Sequence, residues 1–234
     1  MTITEKISQS YNKAYEESDH LHDSDNLYRW VLTKLKVASR KKILDIACGV
    51  GLINKHAETM GLDGFGIDIS SIALQKAKTR AGRSGFCVAD GEILPFNETA
   101  FDYVTNVGSL EHFPNIETGF SEMNRVLRQD GTAAILLPNS YYLIDIIWKV
   151  WRTGYPISHR QLIERFATYN QWKDLIEKNH FRVIKGYKYN FLFPTSIADI
   201  KYYFRKPKMF ILMLAGWLIP KNLSYHFLFI CKKK

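Results

Sequence analysis

A strand followed by a glycine turn restricts the fold of this chain more than any other feature. Residues 42–46 form a short, largely apolar run, and Gly49 and Gly51 follow almost directly. Residues 52–60 then have the composition of a helix that ends at Gly61. A buried strand, a tight turn and a helix in this order are typical of a parallel α/β sheet.

The same alternation continues along the chain. Apolar runs predict further strands at residues 65–69, 86–89, 101–107, 132–137, 181–189 and 224–231, with a turn at Asp130 and Gly131. Helices are predicted at residues 70–80, 116–127, 141–151, 171–179 and 209–219, the last within an insertion at 192–222. Strands and helices at this spacing predict a doubly wound, mostly parallel sheet with helices on both faces.

Three aspartates lie at the ends of three successive predicted strands. Asp45 comes just before the glycine turn, Asp68 ends the second strand, and Asp90 follows the third. In an open parallel sheet, ligands bind in the crevice at the carboxyl ends of the strands. The three carboxylates are therefore expected to converge on one ligand.

The glycine turn helps to separate two ligand classes. A dinucleotide site uses three glycines so that a pyrophosphate can approach a helix N-terminus. Here Asn54 stands where the third glycine is expected, and Asp45 would repel a phosphate. Carboxylates suit a ligand with a positive charge, hydroxyls and an amine, so the charges favour S-adenosylmethionine over NAD.

Four segments together resemble the class I S-adenosylmethionine-dependent methyltransferases. They are residues 44–51 (LDIACGVG), 66–70 (GIDIS), 89–96 (ADGEILPF) with 101–104 (FDYV), and 125–131 (RVLRQDG). The chain most resembles the type 11 subgroup of small-molecule enzymes, which includes quinone-ring and sarcosine methyltransferases. The resemblance implies a Rossmann-like, seven-stranded sheet with an antiparallel C-terminal strand. It also implies S-adenosylmethionine as cofactor and S-adenosylhomocysteine as product.

The resemblance also points to single residues. Those predicted to bind the cofactor are Asp45, Ala47, Gly49, Gly51, Asp68, Ile69, Asp90, Gly91 and Asn106. By the resemblance, the acid and glycines of the first turn flank the methionine part. The residues after the second strand hold ribose and adenine, and those after the third hold the adenine edge. Ala47 and Cys48 replace an acid or a third glycine that is usual in the first motif.

The end of the fourth predicted strand is the expected place of methyl transfer. His112 is the first candidate for a base or an acceptor-orienting group, and Glu111 is the second. The alternative is that His112 only caps a turn or packs beside Pro114.

Other polar and aromatic residues are candidates for a lid and an acceptor pocket. Tyr11 and Tyr15 would either close over the cofactor or face the core. The acceptor-pocket candidates are Tyr141, Tyr142, His159, Arg160 and Arg165. For each of them a structural or surface role is the alternative.

Residues 1–234 are predicted to form one domain, with a helical lid at 1–40, a cofactor core at 41–138 and an acceptor side at 139–234. The three cysteines are far apart and form no CxxC pair, which favours free thiols in a reducing compartment. Cys48 would be either reactive or simply packed in the turn. No metal site is predicted. Neither a signal-peptide pattern nor a long apolar run is present, so a cytoplasmic location is expected.

The basic residues are unevenly distributed. The formal net charge is +9, and residues 201–234 hold eight Lys and Arg with no Asp or Glu, which leaves +1 for residues 1–200. We therefore expect one local basic surface. Within it, residues 205–220 are basic and then apolar, which suits a membrane interface, a cap on the acceptor pocket or a dimer contact.

These features define three functional hypotheses. The first is methyl transfer to oxygen or carbon of a small molecule, a sugar or a lipid-linked acceptor. The second is methylation of a nucleic acid, which the basic tail suggests. However, no Asn-Pro-Pro-Tyr or Asp-Pro-Pro-Tyr type segment follows the fourth strand. The third is an inactive cofactor-binding module at the inner membrane surface, which the intact acids disfavour.

Overall fold

The computed structural model describes residues 2–17, 24–156 and 162–234, with the side chains at 144, 145 and 208 excepted. The helices are α1 (Ile3–Glu17), α2 (Asp25–Leu35), α3 (Leu52–Thr59), α4 (Ser71–Arg80), α5 (Ile116–Val126), α6 (Trp148–Thr153), α7 (Tyr169–Lys178), α8 (Ile197–Arg205) and α9 (Pro207–Gly216). The strands are β1 (Lys42–Ile46), β2 (Asp63–Asp68), β3 (Gly85–Val88), β4 (Phe101–Val107), β5 (Leu127–Pro138), β6 (Phe181–Tyr189) and β7 (His226–Lys233). The candidates His159 and Arg160 lie outside the described residues.

The strands form one seven-stranded sheet in the order β3-β2-β1-β4-β5-β7-β6. Strand β1 pairs in parallel with β2 and β4, so that Leu44 lies beside both Phe65 and Val104. Strand β7 alone runs antiparallel to its neighbours β5 and β6. The predicted fold class, a mostly parallel sheet with an antiparallel C-terminal strand, is confirmed.

Helices cover both faces of the sheet because successive strand residues point in opposite directions. Leu44 of β1 joins a core that includes Phe120 of α5. The preceding residue, Ile43, joins the other core with Val31 of α2 and Ile53 of α3. The doubly wound arrangement therefore follows from apolar residues at consecutive positions of the strands.

The largest difference from a predicted strand boundary is in β5. Strand β5 begins at Leu127 rather than Thr132, and the predicted turn at Asp130 lies in an irregular stretch of this strand. There, β5 advances from Leu127 to Thr132 while its partner β4 advances only from Phe101 to Tyr103.

The inserted segment contains two helices where the sequence predicted one. Helix α9 ends at Gly216 instead of residue 219, and α8 precedes it. The Ser196 hydroxyl caps α8 by accepting a hydrogen bond from the Asp199 amide. The predicted helix at 141–151 is divided into π-helical turns (Leu143–Ile147) and α6.

The expectation of one local basic surface is wrong. Because β7 runs antiparallel to β5, its start at His226 lies beside Pro138 and its later residue Cys231 beside Ala133. The eight residues of β7 span about 27 Å, so the lysines at 232–234 lie at the opposite edge of the sheet from residues 201–221. In the part of the chain that the structure describes, no helix is long and apolar enough to cross a bilayer.

Candidate functional site

A cavity of about 190 Å³ lies at the carboxyl ends of β1, β2, β3 and β4. Its lining residues are Thr4, Ile7, Tyr11, Tyr15, Tyr28, Asp45, Ala47, Cys48, Gly49, Ile67, Asp68, Ile69, Ala89, Asp90, Gly91, Val107, Gly108, Ser109, His112, Phe113 and Pro114. Seven of the nine residues predicted to bind the cofactor are among them, namely Asp45, Ala47, Gly49, Asp68, Ile69, Asp90 and Gly91. The other two, Gly51 and Asn106, are not part of the lining.

Asp45 is a buried carboxyl at the end of β1. The Thr105 hydroxyl of β4 donates a hydrogen bond to Asp45 Oδ1 at 2.6 Å. The pKa of Asp45 is raised to about 7, mainly by burial and also by the nearby charge of Asp68, against the hydrogen bond from Thr105. The charge of this group therefore changes near neutral pH, at the wall of the cavity.

Asp68 at the end of β2 organises the first turn. Its Oδ2 accepts a hydrogen bond from the Gly49 amide at 2.8 Å, and its Oδ1 accepts one from the Ser70 amide at 2.8 Å. Burial raises the pKa of Asp68, whereas these amides oppose the shift. A carboxylate has lone pairs beyond these two bonds, so Asp68 can hold the turn and still accept from ribose hydroxyls.

The glycine turn needs left-handed backbone conformations. Gly49 has φ 52° and Gly51 has φ 75°, and Ala47 adopts φ 56° without being glycine. Gly51 also approaches α4 so closely that an added Cβ would lie 3.0 Å from the Ala77 Cβ. Gly51 therefore serves the close packing of α3 on α4 rather than the cavity lining.

The thiol of Cys48 is a buried part of the same turn. Its Sγ lies 3.8 Å from the Gly49 carbonyl oxygen. Burial raises the pKa of the Cys48 thiol, with further contributions from Asp45 and Asp68. Because the thiolate is the reactive form, these surroundings favour the packed interpretation over the reactive one.

Asp90 and Gly91 form the third strand end. Asp90 Oδ1 accepts a hydrogen bond from the Glu92 amide at 2.9 Å, and Oδ2 accepts a longer one from the Thr4 hydroxyl at 3.5 Å. At Gly91, an added Cβ would collide with the ring of Phe113. This glycine therefore allows the aromatic ring to close the cavity beside Asp90.

Helix α1 closes the cavity from the other side. The Ser8 hydroxyl donates to the Ile69 carbonyl at 3.0 Å, and the Ser70 hydroxyl donates to Asn12 Oδ1 at 2.7 Å. Tyr11 and Tyr15 both line the cavity. Burial, helped by the charges of Glu111 and Asp68, raises the pKa of Tyr11 to about 12.

The two catalytic candidates follow β4 in a short 3₁₀ turn. His112 lines the cavity, and its Nδ1 lies 2.7 Å from the Ile163 carbonyl oxygen. Glu111 is only 3% exposed and is not part of the lining. Burial raises the pKa of Glu111 to about 8. The pair therefore combines one group at the cavity with one buried behind it.

Asn106 and Arg165 hold this turn in place. Asn106 Nδ2 donates to the Ile46 carbonyl at 3.2 Å, and its Oδ1 accepts from the Leu110 amide at 2.9 Å. Arg165 donates to the carbonyl oxygens of Glu111, Phe113 and Pro114 at 3.1, 2.6 and 3.0 Å. Both side chains thus act on the backbone around His112.

The candidates Tyr141 and Tyr142 are not part of the cavity lining. Tyr141 is exposed, whereas Tyr142 is buried and packs on Tyr225 with ring centroids 4.9 Å apart. Sequence reasoning missed Thr4, Ile7 and Tyr28 in the lining. Their proximity arises from the packing of α1 and α2 against distant strand ends, for which the sequence carries no local signal. Among the described residues, no group of three metal-ligating side chains occurs.

Comparisons with known proteins identify a methyltransferase domain in this chain. Residues 44–135 match the family model described as a methyltransferase domain. Demethylmenaquinone methyltransferase of Staphylococcus carnosus is 27% identical over 142 residues, which are 56% of this chain and 58% of that protein. An uncharacterized protein of Methanocaldococcus jannaschii is 30% identical over 149 residues, which are 62% of this chain and 52% of that protein. The chain therefore spans just over half the length of these curated relatives.

A solved structure has the same fold over the whole chain. Geranyl diphosphate C-methyltransferase from Streptomyces coelicolor superposes with a TM-score of 0.71 at 12% identity, covering 100% of this chain and 99% of that one. At this identity, the likeness shows a common Rossmann-like fold. Within that fold, residues 44–135 are a methyltransferase domain of the class I kind, whose cofactor is S-adenosylmethionine.

Proposed function

We propose that the chain transfers a methyl group from S-adenosylmethionine to oxygen or carbon of a small-molecule, sugar or lipid-linked acceptor. The observation that carries the proposal is the convergence of Asp45, Asp68 and Asp90 on one cavity. A cationic donor with ribose hydroxyls and an adenine amine suits three carboxyl groups.

The composition of the cavity wall supports this donor over a phosphate-bearing ligand. Among the described residues, no Lys or Arg lines the cavity. Phosphate groups usually bind to such cations or to a helix N-terminus. Here the Gly49 amide of the first turn is already bonded to Asp68.

In the reaction, the protein aligns the donor with the acceptor and accepts a proton from the acceptor. The bound donor supplies a methyl carbon that an acceptor atom attacks in line, while the carbon–sulfur bond breaks and its electron pair stays on sulfur. Tyr11 and Phe113, as cavity walls, exclude water from that path. An acceptor that loses a proton can pass it to His112, which lines the cavity. Glu111 lies behind His112, with its Oε1 3.6 Å from His112 Nε2.

The acceptor class has further support from relatives. The curated relative acts on a demethylmenaquinone, and the solved neighbour on geranyl diphosphate, by their names. Methylation of a nucleic acid gains no comparable support, because the basic residues are divided between two edges of the sheet.

Donor binding and turnover test the proposal separately. S-Adenosylhomocysteine binding to the wild type, to Asp68→Ala and to the control Asp63→Asn would be measured by calorimetry. Asp63 is exposed at the start of β2. We expect binding by the wild type and the control, and at least tenfold weaker binding by Asp68→Ala, since hydrogen bonds to charged groups contribute about 1.5–3 kcal/mol. Absence of binding by the wild type would overturn the proposal.

Transfer would then be followed with methyl-labelled donor and three acceptor pools: lipid extract, polar metabolites and nucleic acid. Label in either small-molecule pool supports the proposal. Label in nucleic acid alone would replace it with the second hypothesis, and binding without transfer to any pool would replace it with the third.

A further inference from the structure

Helices α8 and α9 leave the sheet at the edge where the cavity lies. They connect β6 to β7, and Tyr189 at the end of β6 pairs with His226 at the start of β7. His226 also pairs with Pro138 at the carboxyl end of β5. Since β1, β4 and β5 are parallel, this is the carboxyl edge of the sheet.

Asp199 fixes α8 to a helix that contributes to the cavity. Its buried carboxylate accepts hydrogen bonds from the Asn26 amide at 3.0 Å and from Arg29 Nη2 at 3.2 Å. Both donors belong to α2, and Tyr28 of the same helix lines the cavity. The position of α8 is therefore linked to the cavity wall.

Helix α9 has an apolar face on each side. Met213 and Gly216 are buried on its inner side. Its outer side carries exposed apolar residues at Phe210, Ile211 and Leu214, and continues in the following turn with Trp217 and Leu218. These five positions have the spacing of one helical face, and the indole-bearing residue Trp217 is 70% exposed.

Helix α8 adds a second exposed apolar row. Ile197, Ile200 and Phe204 are separated by three and four residues and are all exposed, with Phe204 at 83%. The opposite side of α8 holds the buried residues Asp199 and Tyr203. We call the exposed faces of α8 and α9 together the α8–α9 surface.

Cations border the α8–α9 surface. Lys201 and Arg205 are exposed on α8, next to its apolar row. Residues 201–234 contain no Asp or Glu that could neutralise them. The surface therefore combines exposed aromatic and aliphatic side chains with the positive charges of Lys201 and Arg205.

We propose that the α8–α9 surface binds the headgroup region of an anionic lipid bilayer. Apolar side chains that enter the acyl boundary, with Lys and Arg at headgroup level, are the pattern of an interfacial helix. The ten residues of α9 span about 15 Å, which suits a helix lying in the interface rather than crossing it. A twofold contact between two copies would bring Lys201 and Arg205 against the same cationic patch, which disfavours self-association.

Flotation of the full chain with lipid vesicles tests this proposal, and it needs neither cofactor nor acceptor. Vesicles of phosphatidylcholine would be compared with vesicles containing equal parts of phosphatidylglycerol. We expect the chain to float with the anionic vesicles and to detach at about 1 M salt, where the Debye length is about 3 Å. The double variant Phe204→Gln, Trp217→Gln should float at least tenfold less, because interfacial binding scales with buried apolar area.

Two further variants make the result specific. Ile184→Gln, at an exposed position of the β6 strand, should float like the wild type. Lys201→Gln with Arg205→Gln should reduce the preference for anionic over neutral vesicles. Thermal unfolding midpoints confirm that the variants are folded.

Failure of the wild type to float, or flotation of the apolar double variant like the wild type, would overturn the proposal. A wild-type dimer in light scattering that this variant lacks, without vesicle binding, would assign the surface to a second copy instead.

Discussion

The imidazole Nε2 of His112 lies 3.6 Å from the carboxylate Oε1 of Glu111, at the end of β4. The other carboxylate oxygen, Glu111 Oε2, is buried and has no hydrogen-bond partner within the described residues. A carboxyl group in this position is poorly solvated when charged, and its pKa rises to about 8 for that reason. The neutral form therefore predominates at pH 7.

The first prediction concerns the pH dependence of stability. Because the pKa of Glu111 rises from 4.5 unfolded to about 8 folded, the folded state holds the proton more tightly between these values. The contribution of Glu111 to stability therefore falls as pH rises through this window, by at most about 1.4 kcal/mol per pH unit. Glu111→Gln removes the cost of ionising this buried carboxyl. The stability of the variant relative to the wild type should therefore increase from pH 5 to pH 8.

Urea unfolding at several pH values measures this difference. Glu16→Gln, at an exposed position of α1, controls for the loss of a carboxyl group. A Glu111→Gln curve parallel to the wild type across the window would contradict the assigned burial.

The second prediction concerns the donor's charge. The pKa of Asp45 is about 7, so this carboxyl gains a negative charge as pH rises from 6 to 8. S-Adenosylmethionine carries a positively charged sulfonium, whereas S-adenosylhomocysteine has a neutral sulfur. The affinity for S-adenosylmethionine should therefore rise more with pH than the affinity for S-adenosylhomocysteine. Calorimetry would measure the ratio of the affinity for S-adenosylmethionine to that for S-adenosylhomocysteine. In the wild type this ratio should increase several-fold from pH 6 to pH 8, as expected for opposite charges at close range. The ratio should stay constant with pH in Asp45→Asn.

The third prediction concerns the glycine turn. Gly51→Ala places a Cβ 3.0 Å from the Ala77 Cβ at a residue with φ 75°. A left-handed residue with a side chain costs about 1–2 kcal/mol before any collision. The variant should therefore lower the free energy of unfolding by at least that amount. Gly82→Ala is the matched control, since its added Cβ meets nothing closer than 3.9 Å. Equal stability of the two variants would refute the packing role.

The fourth prediction concerns Arg165. Arg165→Lys removes the planar fork that bonds the loop carbonyls of Glu111, Phe113 and Pro114, and an ammonium cannot replace it. Amide hydrogen exchange at residues 110–113 should become faster, and S-adenosylhomocysteine should bind more weakly because His112 and Phe113 line the cavity. Arg182→Lys, at an exposed position of β6, should change neither. If amide exchange is unchanged in Arg165→Lys, Arg165 does not hold this loop in place, and the prediction is wrong.

The sequence predicted best where burial is dictated by local pattern. Strands β1, β4 and β6 begin and end at the predicted residues, because apolar runs in a sheet covered on both faces are distinctive. Helix α8 was missed although Ser196 and Asp199 have the spacing of a helix N-cap, a signal that was available.

Long-range contacts could not be predicted in the same way. Arg165 was proposed for the acceptor pocket, yet its guanidinium bonds carbonyls more than 50 residues earlier in the chain. Nothing in the residues around position 165 encodes that partner. The convergence of the strand-end acids was easier to predict, because parallel topology alone brings Asp45, Asp68 and Asp90 to the carboxyl ends of neighbouring strands.

Helix α1 is both a wall of the cavity and the first helix of the chain. Its bonds through Ser8 and Asn12 to the β2–α4 connection must break before this wall can move away. If donor and product pass that way, their residence times are set by the same detachment step, so the product departs no faster than the donor. Shortening α1 would then accelerate exchange of both ligands alike.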